Sequence, residues 1–474
     1  MTSVSNDLWR WSAADTAAAV ARGQVSAVEV AQSTLARLHA INPQLNAVIE
    51  ADDDWTLAQA RAVDARRTSG EVLPLAGVPI TVKDNLWVEG RRITQGSRLF
   101  EQFVAPRDAW AVARLKQRGA VIVGITNCSE FACKGVSNNL PHGKTRSPWD
   151  LTRTPGGSSG GAAAATAAGI GALALATDAG GSTRRPAAHC GLVGMKPTFG
   201  LIPCGPGFDE PNFGLSVIGQ LARNVADAAL MFDQLLGFDA HDWGAQPVSL
   251  PAASPQIGTP PPTTLRVAYS HDLGCGFAID APVRARIEAA VDALRAQGYR
   301  ITEAAPDWPA GVREYPLLKL QQAGLAALYG DDYDRRPDWI DPDLQAQMAA
   351  GRTYSGVDIA RLLLLREHIY AALARFFDDY DLLLCPTAPV VSWPVDQLGP
   401  AQIGGAPAGP RGHAVYTPLF NYCQVPACSV PVGLVDGLPV GMQIVAPRYQ
   451  DARVLAMAGV VEATVGRSAS PTGM

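Results

Sequence analysis

Two serines lie in glycine-rich turns of this chain, 24 positions apart. Ser158 stands in the segment TPGGSSGG (154–161), and Ser182 stands in TDAGGSTRRP (177–186). A serine hydroxyl attacks a carbonyl carbon well only when a base accepts its proton. Glycines beside such a serine allow consecutive backbone N–H groups to point at one spot, where they stabilise an oxyanion. The residue types and their spacing therefore predict acyl transfer with serine as the nucleophile.

Lys83 is the candidate base for this chemistry. It follows the apolar run GVPITV (77–82), which is typical of a short buried strand. A lysine at a strand end is usually a solvated surface charge, and the sequence leaves that interpretation open. In a dry cleft, however, the pKa of a lysine falls, and the neutral amine can accept a proton. The hypothesis is a relay in which Ser182 attacks, Ser158 passes the proton and Lys83 receives it.

The GGSSGG stretch leaves three other interpretations open. It fits a flexible linker or a phosphate loop, although apolar sequence follows at once and no P-loop lysine follows the glycines. It also matches G-x-S-x-G with Ser159 central, an elbow that needs a preceding strand and a later histidine base. The preceding DLTRTP (150–155) is not strand-like. Later histidines such as His271, His368 and His413 stand in no suggestive context.

The segment between the two serines predicts a helix followed by a strand. Alanine is the best helix former, so 162–168 should be helical, and the apolar run 172–178 is typical of a strand. A short helix and a short strand packed together have comparable lengths, so their outer ends meet. Ser158 and Ser182 should then face one crevice, at the strand ends where open α/β sheets bind ligands.

Alternating helix and strand patterns continue along the chain and indicate an α/β fold. Ser12 and the capping-box pair Ser26 and Glu29 predict two N-terminal helices, the second ending at Asn42-Pro43. Such alternation forms a sheet with helices on both faces. The other expected elements are strands at 78–82, 120–126, 265–270 and 380–390, helices at 109–118, 281–298 and 451–465, mostly helix over 314–377, and two strands about the Asp436-Gly437 turn.

Length alone permits two or three domains, but the strands on either side of the Pro-rich segment read as equally buried, which favours one large domain, 1–474. Its N-terminal part, 1–245, carries the candidate residues, and a Pro-rich irregular connection spans 246–264. The C-terminal part, 265–474, contains a helical region at about 308–380 that we expect on the substrate side. The chain is 47% hydrophobic and 18% charged, as in a globular protein with a large core.

Charge and cysteine usage exclude several function classes. A formal net charge of −5 does not favour a nucleic-acid partner, which usually requires a basic face. The eight cysteines are scattered without a CxxC spacing, which favours reduced thiols in the cytosol. Neither a signal-peptide pattern nor an apolar run long enough for a membrane span is visible. We therefore expect a cytoplasmic protein without a nucleic-acid or membrane partner.

Three segments resemble the amidase signature family. They are GVPITVKDN (77–85), TPGGSSGGAAAATAAG (154–169) and ALATDAGGSTRRPAAHCGLVGMKPTFG (174–200). The resemblance includes the spacing of the two serines and the upstream lysine motif, and it extends over most of the chain. It implies the amidase-signature fold, a large mixed β-sheet between helices. It also implies hydrolysis of an amide with no metal and no cofactor.

The resemblance implies a role for each matching residue. Ser182 would be the acyl-enzyme nucleophile, Ser158 the bridging serine after a cis peptide bond from Gly157, and Lys83 the general base. The backbone N–H groups of the oxyanion hole would come from Ala179, Gly180, Gly181 and Ser182. Supporting residues would be Ser159, Asp178 and Arg184. The substrate loop at 129–133 would contain Ser129, Glu130 and Phe131.

The amide substrate stays open at this point. Aromatic residues of 308–380 would line a pocket or belong to the core, and they are Trp308, Tyr315, Tyr329, Tyr333, Trp339 and Tyr354. Carbamates and esters are plausible further substrates of the same acyl chemistry. The alternative function is that of an A-type subunit of a glutamine-dependent tRNA amidotransferase, or else a non-catalytic homologue. Those subunits carry an acidic residue seven positions before the counterpart of Asn421, and this chain has Ala414 there. A small-molecule amide is the expected partner, and a homodimer is compatible with the sequence.

Overall fold

The structure is a computed structural model, and it describes residues 7–314, 316–409, 411–466 and 471. The helices are α1 Ala13–Ala21, α2 Ala27–Leu45, α3 Asp53–Thr68, α4 Trp110–Gln117, α5 Gly160–Ala167, α6 Arg184–Cys190, α7 Val225–Leu235, α8 Ala281–Ala296, α9 Pro316–Arg335, α10 Pro342–Gly351, α11 Gly356–Asp379, α12 Pro418–Tyr422 and α13 Asp451–Val465. Short 3₁₀ helices are Leu8–Arg10, Arg98–Phe100, Glu130–Ala132, Ser254–Gln256, Val312–Glu314, Pro337–Trp339 and Gly412–Ala414.

The strands build one large mixed sheet and two small hairpins. The strands are β1 Val48–Glu50, β2 Pro79–Lys83, β3 Val121–Thr126, β4 Asn138–Asn139, β5 Gly143–Lys144, β6 Leu173–Asp178, β7 Val193–Lys196, β8 Val217–Ala222, β9 Val267–Tyr269, β10 Ile301–Glu303, β11 Leu382–Pro386, β12 Gln402–Ile403, β13 Ala406–Pro407, β14 Ala427–Val435 and β15 Leu438–Val445. Within the described ranges, eleven of them join in the order β1-β3-β2-β6-β8-β7-β14-β15-β11-β9-β10. Helices flank this sheet, so the predicted α/β class with a large mixed sheet is confirmed.

The large sheet contains strands from both sides of the Pro-rich connection at 246–264. Strand β7 from the N-terminal part pairs antiparallel with β14 from the C-terminal part. The connection itself is irregular apart from the short Ser254–Gln256 turn. Both parts therefore contribute strands to the same buried sheet. In the part of the chain that the structure describes, no helix combines the length and the apolar character that crossing a membrane requires.

Helix α2 does not end where the sequence predicted. The expected end was Asn42-Pro43, but the helix continues through Pro43 to Leu45, and Asn46 closes it with φ of 51°. A proline inside a helix removes one N–H donor and frees the carbonyl four residues earlier. That residue is His39, which is exposed, so solvent can satisfy the freed group. The fully buried side chain of Leu45 holds the last turn on the core.

The pairing of β2 with β6 positions the candidate site. The two strands are parallel neighbours, with Val82 opposite Leu175. Parallel strands end at the same edge of a sheet, so Lys83 at the end of β2 lies beside Thr177 near the end of β6. Helix α5 contacts both strands and begins just after Ser158. The predicted helix–strand unit therefore returns the chain to its starting point.

Candidate active site

Lys83 and Ser158 form a direct hydrogen bond at this sheet edge. The Nζ atom of Lys83 donates to Ser158 Oγ at 2.8 Å and to Thr177 Oγ1 at 2.8 Å. The Lys83 side chain is fully buried, and burial lowers its pKa to about 8 because the charged form loses hydration. An amine with that pKa is partly neutral near physiological pH. Lys83 is therefore not a solvated surface charge, and it can exchange a proton with the Ser158 hydroxyl.

Thr177 is a member of this cluster that the sequence analysis did not single out. Its hydroxyl oxygen accepts hydrogen bonds from Lys83 and, at 3.0 Å, from Asn85 Nδ2. The position of Thr177 five residues before Ser182 is a signal that could have found it. Because the hydroxyl anchors the amine, it orients Lys83 toward Ser158.

The backbone around Ser158 is held on both sides. The Gly157–Ser158 peptide bond is cis, as the resemblance implied. A Cβ atom on Gly157 would lie 2.6 Å from the backbone nitrogen of Val136, so only glycine fits there. The carbonyl of Ser158 accepts from the Ser137 hydroxyl at 3.1 Å and from the Ser129 N–H at 3.4 Å. The predicted loop residue Ser129 thus supports the backbone of Ser158.

Ser182 lies at the end of the second glycine-rich turn, against the first. Its carbonyl accepts from the Ser159 N–H at 3.3 Å, and the side chain of Ser182 lines the same cavity as Ser158. Ser159 is fully buried, and its hydroxyl donates to the Thr177 carbonyl at 3.4 Å. No strand directly precedes Ser159, since the nearest described one upstream is β5, and no described contact joins Ser159 to a histidine. The elbow interpretation has no support in this geometry.

The predicted oxyanion hole needs one correction. The N–H of Gly181 donates to Asp178 Oδ1 at 2.7 Å, so it is not free for a ligand. Gly181 itself has φ of +107°, a backbone conformation that favours glycine. By contrast, the N–H groups of Ala179, Gly180 and Ser182 have no acceptor among the described residues. Those groups are the available donors of the turn.

A buried ion pair holds the Ser182 turn in place. Arg184 bonds to the Asp178 carboxylate at 2.8 Å and 3.0 Å, and both side chains are fully buried. Burial by itself would raise the pKa of Asp178, but the charge of Arg184 and hydrogen bonds from Arg184 and Asn421 lower it well below its usual range. The carboxylate therefore stays charged and keeps its hydrogen bonds to the turn.

The C-terminal part of the chain supplies the other hydrogen-bond acceptors of Arg184. The guanidinium donates to Asn421 Oδ1 at 2.6 Å, to Gln443 Oε1 at 2.6 Å and to the carbonyl of Thr417 at 3.0 Å. Thr417 also donates to the Gly180 carbonyl at 2.7 Å. These partners lie more than 200 positions from the turn, and no local pattern in the sequence indicated Gln443 or Thr417.

Of the three residues named in the predicted substrate loop, only Phe131 lines the cavity. Its backbone has φ of 49°, and its ring stacks on Tyr329 at 3.9 Å with an interplanar angle of 9°. Glu130 is buried instead, and its Oε2 accepts from the Asp341 N–H at 2.7 Å. Burial raises the pKa of Glu130 to about 7. The loop therefore contributes one aromatic wall, backed by the helical region.

The remaining cavity wall comes from an unexpected part of the chain. Most described lining residues belong to 199–218 and 242–244, and none belongs to 308–380. The aromatic members of the wall are Phe131, Phe199, Phe208 and Trp243. Tyr329 lies behind Phe131, and the Trp308 ring donates to the Leu273 carbonyl. Tyr315 lies outside the described residues. The helical region thus supports the wall without forming it.

The chain is similar to proteins of known activity over most of its length. A family profile described as Amidase matches residues 29–455. An indoleacetamide hydrolase of Bradyrhizobium diazoefficiens is 35% identical, over 97% of this chain and 87% of that protein. The A-type subunit of a glutamyl-tRNA(Gln) amidotransferase from Symbiobacterium thermophilum is 35% identical, over 92% of this chain and 93% of that protein. A bacterial aryl acylamidase of the amidase signature enzymes superposes with a TM-score of 0.89 at 28% identity, covering 97% and 96% of the two chains.

Proposed function

The chain belongs to the amidase signature family, and on that premise we propose that it hydrolyses small carboxamides or N-substituted amides through an acyl-enzyme on Ser182. The observation that carries the proposal is the 2.8 Å contact of Lys83 Nζ with Ser158 Oγ, in a buried site beside Ser182. A base of lowered pKa next to a serine pair is what activation of a hydroxyl nucleophile requires.

The first half of the reaction forms the acyl-enzyme. Ser182 Oγ attacks the amide carbonyl while its proton passes to Ser158 Oγ, and the Ser158 proton passes to neutral Lys83. The N–H groups of Ala179, Gly180 and Ser182, which have no acceptor among the described residues, would stabilise the oxyanion as it develops. The protonated Lys83 then returns a proton through Ser158 to the leaving nitrogen, which departs as ammonia or an amine.

The second half releases the acid. Water attacks the acyl carbonyl, and its proton follows the same route through Ser158 to Lys83. The acyl group leaves Ser182 as a carboxylic acid, and Ser182 regains its proton. Esters and carbamates present the same carbonyl to the same nucleophile, so we propose them as further substrates.

The alternative is an A-type subunit of a glutamine-dependent tRNA amidotransferase, since several relatives are named as A subunits of glutamyl-tRNA(Gln) amidotransferases. Such a role would require partner subunits and a site for free glutamine. The family resemblance implies an acidic residue of those subunits at the position of Ala414, and Ala414 is buried and supplies no carboxylate for an amino group. We therefore favour hydrolysis by this chain itself. Glutaminase activity or co-purification with partner subunits would reverse that preference.

We also propose that the enzyme works in the cytoplasm. All eight cysteines are free thiols, and seven of them are buried. Unpaired thiols of this kind are typical of a reducing compartment. Some relatives are named as subunits, so a protein partner is compatible with the comparisons. The proposed reaction itself needs only the small amide and water.

Labelling with a fluorophosphonate tests the nucleophile directly. The purified chain is treated with the probe, digested and analysed by peptide mass spectrometry, together with a panel of aryl and alkyl amides. We expect an adduct on Ser182 and no turnover by Ser182→Ala. Ser159→Ala should keep the adduct on Ser182, and Ser69→Ala, at an exposed serine, is the matched control for turnover. An adduct on Ser159, or full activity of Ser182→Ala, contradicts the proposal.

A further inference from the structure

The cavity beside Ser182 is lined with negative charge. The carboxylates of Asp209, Glu210 and Asp242 all belong to its wall. Among the described residues that line it, there is no lysine, arginine or histidine. A concave site lined by charges of one sign attracts ligands of the opposite sign and repels those of the same sign. The wall therefore disfavours a substrate that brings net negative charge into the cavity.

Glu210 supports its own loop. Its carboxylate accepts from the N–H groups of Asn212 at 2.8 Å and Gly214 at 2.6 Å, and from the Ser216 hydroxyl at 2.9 Å. Both carboxylate oxygens are thus used within a few residues of Glu210. This charge contributes to the potential of the cavity, but its hydrogen bonds hold the wall rather than a ligand.

Asp209 differs from the other two acids. Asp242 accepts from the N–H groups of Cys204 at 2.6 Å and Gly244 at 2.9 Å, so it also serves the wall. Asp209 is exposed to the cavity, and its carboxylate makes no hydrogen bond or ion pair with any described residue. A carboxylate in this situation is available to a ligand. Asp209 is therefore the acid whose charge can recognise one.

Two amide oxygens in the same lining also lack donors. Asn85 uses its Nδ2 on Thr177, and its Oδ1 is buried without a partner among the described residues. Asn212 is 5% exposed, and its Oδ1 is buried without a described partner as well. A buried acceptor left without a donor carries a free-energy cost, which a ligand N–H can remove. The polar character of the cavity thus calls for donors on the substrate.

Aromatic rings complete the chemical description of the cavity. The lining includes the rings of Phe131, Phe208 and Trp243, whose faces are flat and apolar. Such faces pack against an aromatic ring, and they also attract a cation through the ring quadrupole. An aromatic group with a positively charged nitrogen would satisfy the rings and the acidic wall together.

We infer that this cavity selects aromatic amides that bear a cationic nitrogen, and that Asp209 is the residue that recognises the charge. The inference rests on the proposed function, because the amide is placed at Ser182. It goes further in naming the substrate class and the specificity-determining residue. Anionic amides of the same size are disfavoured by repulsion from the acids of the wall.

Binding to Ser182→Ala separates recognition from turnover. Isothermal titration calorimetry is performed with para- and meta-substituted phenylacetamides carrying aminomethyl, methyl or carboxylate groups. We expect the best aminomethyl compound to bind at least about tenfold more tightly than its carboxylate counterpart. Adding Asp209→Asn should reduce that preference by about fivefold, which is the scale of one solvent-accessible ion pair. The preference should also weaken as salt is added.

Asp436→Asn is the matched control, since it removes the same charge from an exposed turn that is not part of the cavity lining. It should leave the aminomethyl preference unchanged. Equal binding of cationic and anionic amides, no binding of any member, or equal effects of the two substitutions overturns the inference. Failure of the proposed function has a different signature, because wild-type protein would then bind these amides without hydrolysing them or labelling Ser182.

Discussion

The Nζ atom of Lys83 and the Oγ atom of Ser158 lie 2.8 Å apart in a site where the lysine side chain has no solvent exposure. Burial lowers the pKa of Lys83 to about 8, because the ammonium group loses hydration. The neutral amine is the form that accepts a proton. Its population therefore grows as the pH rises through about 8.

The first prediction is a pH profile governed by Lys83. We expect kcat/KM of the wild-type enzyme to rise up to a plateau above pH about 8. Lys83→Ala should lower kcat/KM by about 10³-fold or more, which is the usual scale for loss of a general base. The measurements are steady-state hydrolysis rates, with circular dichroism to check folding. Lys144→Ala, at an exposed lysine, serves as the control, and a flat profile or an active Lys83→Ala variant contradicts the assignment.

The second prediction concerns Thr177 as a positioning residue. Its hydroxyl accepts from Lys83 at 2.8 Å, so Thr177→Val removes one anchor of the amine. We expect kcat to fall by about tenfold to a hundredfold with little change in KM, as for a lost polar contact worth about 1.5–3 kcal/mol. The apparent pKa of the pH profile should also fall, because the Thr177 hydroxyl oxygen stabilises the charged amine and the valine variant lacks it. Thr177→Ser should restore both quantities, and equal loss in both variants argues for a packing effect instead.

The third prediction concerns the buried pair of Asp178 and Arg184. Asp178→Asn leaves the Arg184 guanidinium buried without its counter-charge, which should destabilise the fold by about 3–5 kcal/mol in urea unfolding. Asp332→Asn, in an exposed pair with Arg335, should cost less than about 1 kcal/mol. Since the pKa of Asp178 is lowered by folding, its contribution is present at neutral pH and is lost as the medium is acidified. Similar costs for the two variants would contradict the prediction.

The fourth prediction follows from the raised pKa of Glu130. The folded protein keeps this carboxyl protonated up to pH about 7, whereas an unperturbed glutamate releases its proton near 4.5. The unfolded state thus binds fewer protons in this window, so stability decreases as the pH rises, by up to about 1.4 kcal/mol per unit.

Glu130→Gln should reduce this dependence of the free energy of unfolding on pH. Asp84, whose pKa burial also raises to about 7, contributes equally to both proteins, so their difference reports Glu130. Urea unfolding at several pH values measures the effect, and Glu367→Gln at an exposed position is the control. Parallel pH curves for wild type and Glu130→Gln would show that the side chain titrates normally.

Local signals in the sequence were sufficient for several elements. Ser12 caps α1 by accepting from the Asp15 N–H, and Ser26 with Glu29 forms the predicted capping box of α2. The last helix spans Asp451–Val465 as expected. These features depend on contacts between residues a few positions apart, so a short window of sequence contains their causes.

Other features could not be predicted from short windows. The continuation of α2 beyond Pro43 depends on the burial of Leu45, which is a property of the packed core. The use of the Gly181 N–H by Asp178 depends on how the turn reverses. The cavity wall at 199–218 depends on how a long irregular segment folds over the sheet edge.

The sequence by itself determined the candidate residues Lys83, Ser158 and Ser182, and the helix–strand unit that brings the two serines together. Those assignments depend on residue type, spacing and periodicity. Only the tertiary structure decided that the Lys83 side chain has no solvent exposure. It also decided that Arg184 donates a hydrogen bond to Gln443, 259 positions away in the sequence. The physical reason is that burial, pKa and long-range hydrogen bonds arise from the summed packing of distant segments, which no local pattern contains.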